Sequence, residues 1–261
     1  MSLKILITSF FIVIPFVFFA QDGMSFEGGL MGGVSSYQTD YGQRYEIKSG
    51  ITGNLGPVAS GVLYMNFFDY QITWWNKANW VPMHLKLKLE TSYTGGDLQH
   101  YGAYVEQNSL TAEKLRDMHG SISMFNIGFS TEYHINDLTY AYHVNAPKFN
   151  PYIGIGTMMV FSNPTFTSDR GDYLLDPTVL PEKYQVDAIF PDKQITGSAF
   201  VSLGSRFRGG DLGFFIIEYR WHYFFSNQVD GLDPKHISNK FQDTMFQIQA
   251  GFVFYIWAFE Q

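Results

Sequence analysis

The chain has 261 residues and no cysteine. That absence excludes a disulfide scaffold, and it also excludes a lipid-anchored lipoprotein processed after Ala20. Charge is sparse: Asp, Glu, Lys and Arg make up 16% of the chain, and acids outnumber bases for a formal net charge of −7. No run of Lys and Arg occurs, so nucleic acid is not an expected partner. Beyond the N-terminus there is no apolar run of roughly 20 residues, which leaves no candidate for a spanning helix. Internal repeats and low-complexity segments are missing. So are the HExxH, EF-hand, P-loop and dinucleotide-binding patterns, and neither a metal nor a cofactor is expected.

The single apolar run lies at the N-terminus. Lys4 precedes residues 5–19, which are apolar except for Thr8, Ser9 and Pro15, and Ala20-Gln21 offers a small residue for cleavage. This is the pattern of a secretory signal peptide over residues 1–20, with residues 21–261 as the exported domain.

What the chain has in excess is aromatic side chains, 18% of the total with 25 Phe and 17 Tyr. They fall on a period of two. In residues 244–257 one face reads Phe246, Ile248, Ala250, Phe252, Phe254, Ile256, and the other carries Gln247 and Gln249. Alternation of this kind marks a β-strand, and its length exceeds the roughly 9–11 residues that a tilted strand needs to cross a bilayer. Seven further segments read as strands, 25–35, 57–69, 83–93, 122–134, 152–161, 197–207 and 213–225, with the faces of 57–69 ambiguous. Connectors alternate as well. Residues 76–79 and 208–211 read as tight turns, and 135–151 is longer. The polar segments 37–56, 95–120, 163–194 and 226–243 fall on the opposite side.

Eight alternating strands with short turns on one side and long loops on the other predict an all-β, up-and-down antiparallel transmembrane barrel. Its long loops would be extracellular and its termini periplasmic. Trp74, Trp75 and Trp80 flank a short turn and suit an inner interfacial girdle. A soluble lipocalin-like barrel would reverse the faces, with apolar residues inside. The uniformly large apolar faces, set against Gly, Ser and scattered charges of both signs, favour the bilayer.

An eight-stranded lumen is just wide enough to be filled by side chains. The polar faces place Glu27, His84, Lys86, Lys88, Glu90, Glu132, His134, Arg206, Glu218, Arg220 and His222 inside it. Acids and bases nearly balance, so an ion-paired plug is expected rather than a pore. A hydrolytic site would need a base and a nucleophile in contact. His222 and Ser226 lie four residues apart on one strand, about 13 Å, too far for a hydrogen bond. A lipid-modifying enzyme using His222 or His134, or a narrow channel, remain the alternatives to a non-enzymatic protein. Asp230, Asp233 and the acids around Asp169 sit in outer loops where calcium could bind, although such turns are more often plain turns. Tyr41, with Tyr37 and Tyr45, could form a docking surface.

Three segments carry a resemblance. Thr39-Asp40-Tyr41-Gly42-Gln43-Arg44, Leu115-Arg116-Asp117-Met118-His119-Gly120-Ser121, and the run from Tyr223 to Asp230-Gly231-Leu232-Asp233-Pro234 resemble segments of small outer-membrane barrels of flavobacteria and other Bacteroidota. In fold and size alone, the chain also resembles the accessory barrel PorG of the type IX secretion machinery. The resemblance implies an outer-membrane location and a structural or docking role in an envelope complex. It makes Asp40, Tyr41, Arg44, Arg116, Asp230 and Asp233 the loop candidates. A monomeric barrel is expected, with outer-membrane lipid around it. Glu260 and Gln261 depart from the C-terminal aromatic common in such barrels.

Overall fold

The computed structural model describes residues 24–41, 54–67, 84–136, 138, 149–210, 212–234 and 242–257. The signal segment, the whole of the 42–53 loop with Arg44 and Tyr45, and the three-tryptophan hairpin lie outside the described residues. Within them are eight strands: β1 (Met24–Gln38), β2 (Leu55–Phe67), β3 (Leu85–Gln99), β4 (Met118–His134), β5 (Phe149–Ser168), β6 (Gln194–Arg208), β7 (Gly213–Phe224) and β8 (Thr244–Trp257). They form one closed sheet in sequence order, every pair antiparallel. Closure runs from Gln38↔Thr244 down to Phe26↔Trp257, with a register shift between Phe26 and Glu27. Closure leaves no unpaired sheet edge, which is what allows backbone polar groups to sit in hydrocarbon.

The faces are those of a membrane barrel and not of a lipocalin. Leu30, Phe129, Ile155, Leu203 and Ile248 point outward and are more than half exposed, while every lumen charge is buried. No described helix is long and apolar enough to cross a membrane.

Two features differ from the expected layout. First, β3, β4 and β5 run well beyond the predicted strand ends. β5 has 20 residues and pairs with β4 as far as Met118↔Ser168. Residues 162–168 carry Ser, Asn, Pro and Thr and so read as a loop. They remain extended because their partners 118–124 hold them in register above the bilayer. Secondly, the lumen has two storeys. The half towards the short turns is ionic. The outer half is apolar, lined by Met124, Met158, Val160, Phe200, Phe224 and Met245.

That apolar storey continues into a folded outer cap. Helix α1 (Leu110–Arg116) is N-capped by Ser109, whose hydroxyl accepts from Ala112 N at 3.2 Å. It buries Ala112 and Leu115, and Leu115 belongs to the same cluster as Tyr41, Leu180, Tyr184, Val229 and Leu232. Lys114 donates to the carbonyls of Thr178 and Leu180, and Arg170 bridges Glu113 at 3.0 Å and Asp117 at 2.6 Å.

Ile155 faces outward at mid-strand, and Thr165 faces outward on the extension of β5. An Ile155→Arg substitution is expected to lower folding stability in phospholipid vesicles by about 2–4 kcal/mol, with Thr165→Arg costing less than about 1. Guanidinium titration of both variants checks this; equal costs would place the bilayer elsewhere on the wall.

Candidate functional site

The lower lumen is built from side chains of all eight strands. Glu27 on β1 meets Lys86 of β3 at 2.7 Å and is also bonded by Arg206 of β6. The Arg206 guanidinium lies over the rings of Tyr64 and Phe214, at 4.6 and 4.8 Å. A second cluster centres on Lys88, which reaches Glu218 at 2.9 Å, Glu132 at 3.1 Å and Glu90 at 3.7 Å. Arg220 grips Glu90 through both terminal nitrogens, at 2.8 and 2.7 Å, and Glu218 through Nε at 3.1 Å. Planar two-point pairing of this sort is the strongest the side chains allow. Tyr152 donates to Glu218 at 3.0 Å, and its ring occupies space that a Cβ at Gly204 would contest at 2.3 Å. A glycine there is therefore a packing requirement.

Four carboxylates (Glu27, Glu90, Glu132, Glu218) thus face four cations (Lys86, Lys88, Arg206, Arg220), and none of the eight is more than 3% exposed. An uncompensated charge in such a place would cost several kcal/mol. Matched charge is what permits the set to be buried. Together these eight side chains occupy the lower lumen.

The remaining predicted lumen residues divide. His134 joins through Glu132 at 3.3 Å. His84 precedes β3, is half-buried, and bonds the carbonyl of His134 at 2.7 Å, so it belongs to the rim and not to the network. His222 faces Gln247 at 3.2 Å and, across the β6–β7 pair, Ser198 at 3.5 Å. Ser226 instead accepts from the backbone of Gln228. The Ser198–His222 contact has the residue types of a hydrolase pair. Yet Ser198 is fully buried, His222 is 2% exposed, and Phe200, Phe224 and Met245 pack over the imidazole's storey. A lipid cannot reach the hydroxyl, and the third group is a neutral amide. The sequence spacing missed this pair because register, not proximity along one strand, brings Ser198 to His222.

The loop candidates are mostly parts of the cap itself. Tyr41 and Asp230 are fully buried, which corrects the expectation of an outward-facing docking surface at these residues. Asp230 accepts from the backbone of Asp40 at 3.0 Å and Leu232 at 2.8 Å. Asp233 accepts from Asn227 and Gln228, both at 3.1 Å, and its own N–H donates to Ala188. Arg116 bonds the carbonyls of Val105 and Gln107. Burial and the nearby Asp230 carboxylate push the Tyr41 hydroxyl up, so it stays protonated. Asp40, Asp230 and Asp243 bring one carboxylate oxygen each to within 4.8 Å of one another, a donor set of the hard kind that divalent cations take. All three carboxylate residues have further interactions, so the group is not a set of free ligands.

Among the apolar residues that the cap exposes, with Tyr104, Leu110 and Val186, are two adjacent leucines. Leu174 and Leu175 are 76% and 85% accessible. They are held there by Asp172, whose side chain accepts from Leu174 N at 2.9 Å and whose carbonyl accepts from Leu175 and Asp176, both at 3.1 Å. Asp176 in turn caps the next turn through Thr178 at 2.9 Å.

A closed barrel with an apolar outside, a paired ionic inside and an ordered cap on one end is a transmembrane β-barrel, and the protein resides in a bacterial outer membrane. Among solved structures it is similar to Neisserial surface protein A (11% identity, TM-score 0.40, covering 89% of this chain and 99% of that one). It is also similar to Ail of Yersinia pestis, solved with the heparin analogue sucrose octasulfate (11%, 0.38, 88% and 97%), and to the N-terminal barrel domain of Pseudomonas aeruginosa OprF (13%, 0.38, 88% and 97%). Likeness this distant says nothing of ligands or activity. No family model and no curated protein matches the chain.

Arg220→Met leaves Glu90 and Glu218 short of a partner in a buried site, and is expected to cost about 3–5 kcal/mol in a denaturant titration. A second prediction concerns pH. His100, in the cap between Tyr41 (4.9 Å) and Tyr184 (5.7 Å), is held down to about 3 from its ordinary 6.5, by burial first and by Lys183 second. Between those values the opened cap binds a proton that the closed cap does not. Cap stability is therefore full above pH 6.5 and falls towards pH 3, by about 2 kcal/mol at pH 5. Amide exchange in the cap should be faster at pH 5 than at pH 7.5 after correction for intrinsic rates, and His100→Phe should remove that difference.

Proposed function

We propose that the protein is a non-enzymatic docking component of the outer membrane, recognised through its extracellular cap by another envelope protein. The observation that carries this reading is the Leu174-Leu175 turn. A folded loop with many apolar residues inside it holds two leucines in water, on a turn fixed at both ends by Asp172 and Asp176. Pre-organised apolar contacts lose little entropy on binding, and exposed apolar residues so held are commonly interaction sites. Carboxylates on either side favour a partner whose apolar pocket has a basic rim. The side-chain-filled lumen and the buried Ser198–His222 pair argue against transport and hydrolysis.

The finer form of the proposal is that the complex is the type IX secretion machinery. Its support is the resemblance of the chain in fold and size to the accessory barrels of that system.

A photo-crosslinking residue at position 175, irradiated in cells, tests both forms. The expected product is one discrete protein adduct that is lost in Leu174→Ser/Asp172→Ala cells while the barrel still folds. An adduct with a secretion component supports the finer form. An adduct with a different envelope protein supports docking alone, and exclusive crosslinking to lipid contradicts both.

A further inference from the structure

The outer wall of the barrel is not smooth. Register sets Phe129, Thr157, Ala199 and Tyr223 side by side across β4 to β7, and sets Thr131, Ile155, Val201 and Trp221 in the next row. The first row reads large, small, small, large. The result is a depression of about 470 Å³ with Thr157 and Ala199 as its floor. Phe129, Ile155, Trp221 and Tyr223 rise around it, and the Phe225 ring lies against Gly197 beyond it, where a Cβ would come within 2.8 Å of that ring. The floor is apolar in detail. Thr157 Oγ1 donates to the Ser198 carbonyl at 2.9 Å, so its polar atom is satisfied by backbone and its methyl is left to the groove.

We infer that this groove is a binding site for one acyl chain of an outer-membrane lipid. Three observations select that occupant. The groove opens on the lipid-facing wall, continuous with exposed Phe129, Ile155 and Val201, so its surroundings are hydrocarbon and not water. Its bounding aromatics Phe129 and Tyr223 stand three strand spacings apart, roughly 14 Å between backbones, with the small Thr157 and Ala199 between them. A neighbouring barrel or helix is convex and would bridge such a trough without filling it, and an unfilled apolar groove forfeits its dispersion contacts. Tyr223 and Trp221, near the outer end of β7, carry the polar edges that aromatic residues place at lipid headgroup level. The inference is independent of the docking role and involves a different face of the molecule.

The test weighs the intact full-length barrel. The protein is reconstituted in vesicles of dimyristoylphosphatidylcholine and dipalmitoylphosphatidylethanolamine, released into mild detergent, and examined by native mass spectrometry under graded activation. Wild type is expected to keep one phospholipid after the rest are stripped. Ala199→Trp, which fills the floor, should lower the one-lipid fraction about tenfold. Leu203→Trp, on the same strand outside the groove, should leave it unchanged. Thr157→Leu serves as a smaller filling change should Ala199→Trp fail to fold, as judged by heat-modifiable electrophoretic mobility. Equal lipid retention by wild type and the filled variants, no retained lipid in wild type, or a second copy of the chain in its place would each overturn the inference.

Discussion

The pairing of four carboxylates with four cations inside a narrow barrel is the constraint on which the rest of the structure depends. Eight strands fix an interior that only side chains can fill. Charges placed there must find each other, since solvent is out of reach. Lys88 alone spans three carboxylates from β3, β4 and β7, and Arg220 ties β3 to β7 across the lumen. Sheet closure brings the strands together, and the ionic network fixes how they face one another. The same network fills the lower lumen with side chains.

Above it the barrel changes character. Met124, Met158, Phe200 and Phe224 make the outer storey apolar, and that core passes without a break into α1 and the 180–190 and 229–232 segments. Strand extension and cap are one device: paired β4 and β5 carry a small hydrophobic core above the membrane surface, and the loops fold on it. Buried Asp230 then ties the first outer loop to the last, and half-buried Asp233 braces its own loop. Among the described residues the exposed features include the leucine turn at the top and the aromatic-walled groove on the side.

Much of this was legible in the sequence. Residues 244–257 alternate so cleanly that the predicted and observed β8 coincide. The ladder Lys86, Lys88, Glu90 fixed the lumen face of β3 because a one-residue slip would put those charges in lipid. The upper part of β5 was not legible: Ser162–Ser168 has loop composition, and only its pairing with β4 keeps it extended. Nor was the cap. Asp40 and Asp230 are 190 positions apart, and Ser198 meets His222 only through the register of β6 and β7. Such contacts depend on three-dimensional closure, which leaves no local periodicity to read. The wall groove has the same origin, since its small residues lie on different strands.

If the ionic network is a closed structural pillar, ions cannot cross the lumen. Single-channel recording of the purified barrel in planar bilayers tests it most directly. The folded wild-type protein is expected to give no discrete conductance steps at neutral pH under moderate voltage. Sustained, reproducible open-channel steps from that protein would mean that ions pass the Glu27–Arg220 lumen, and would contradict it.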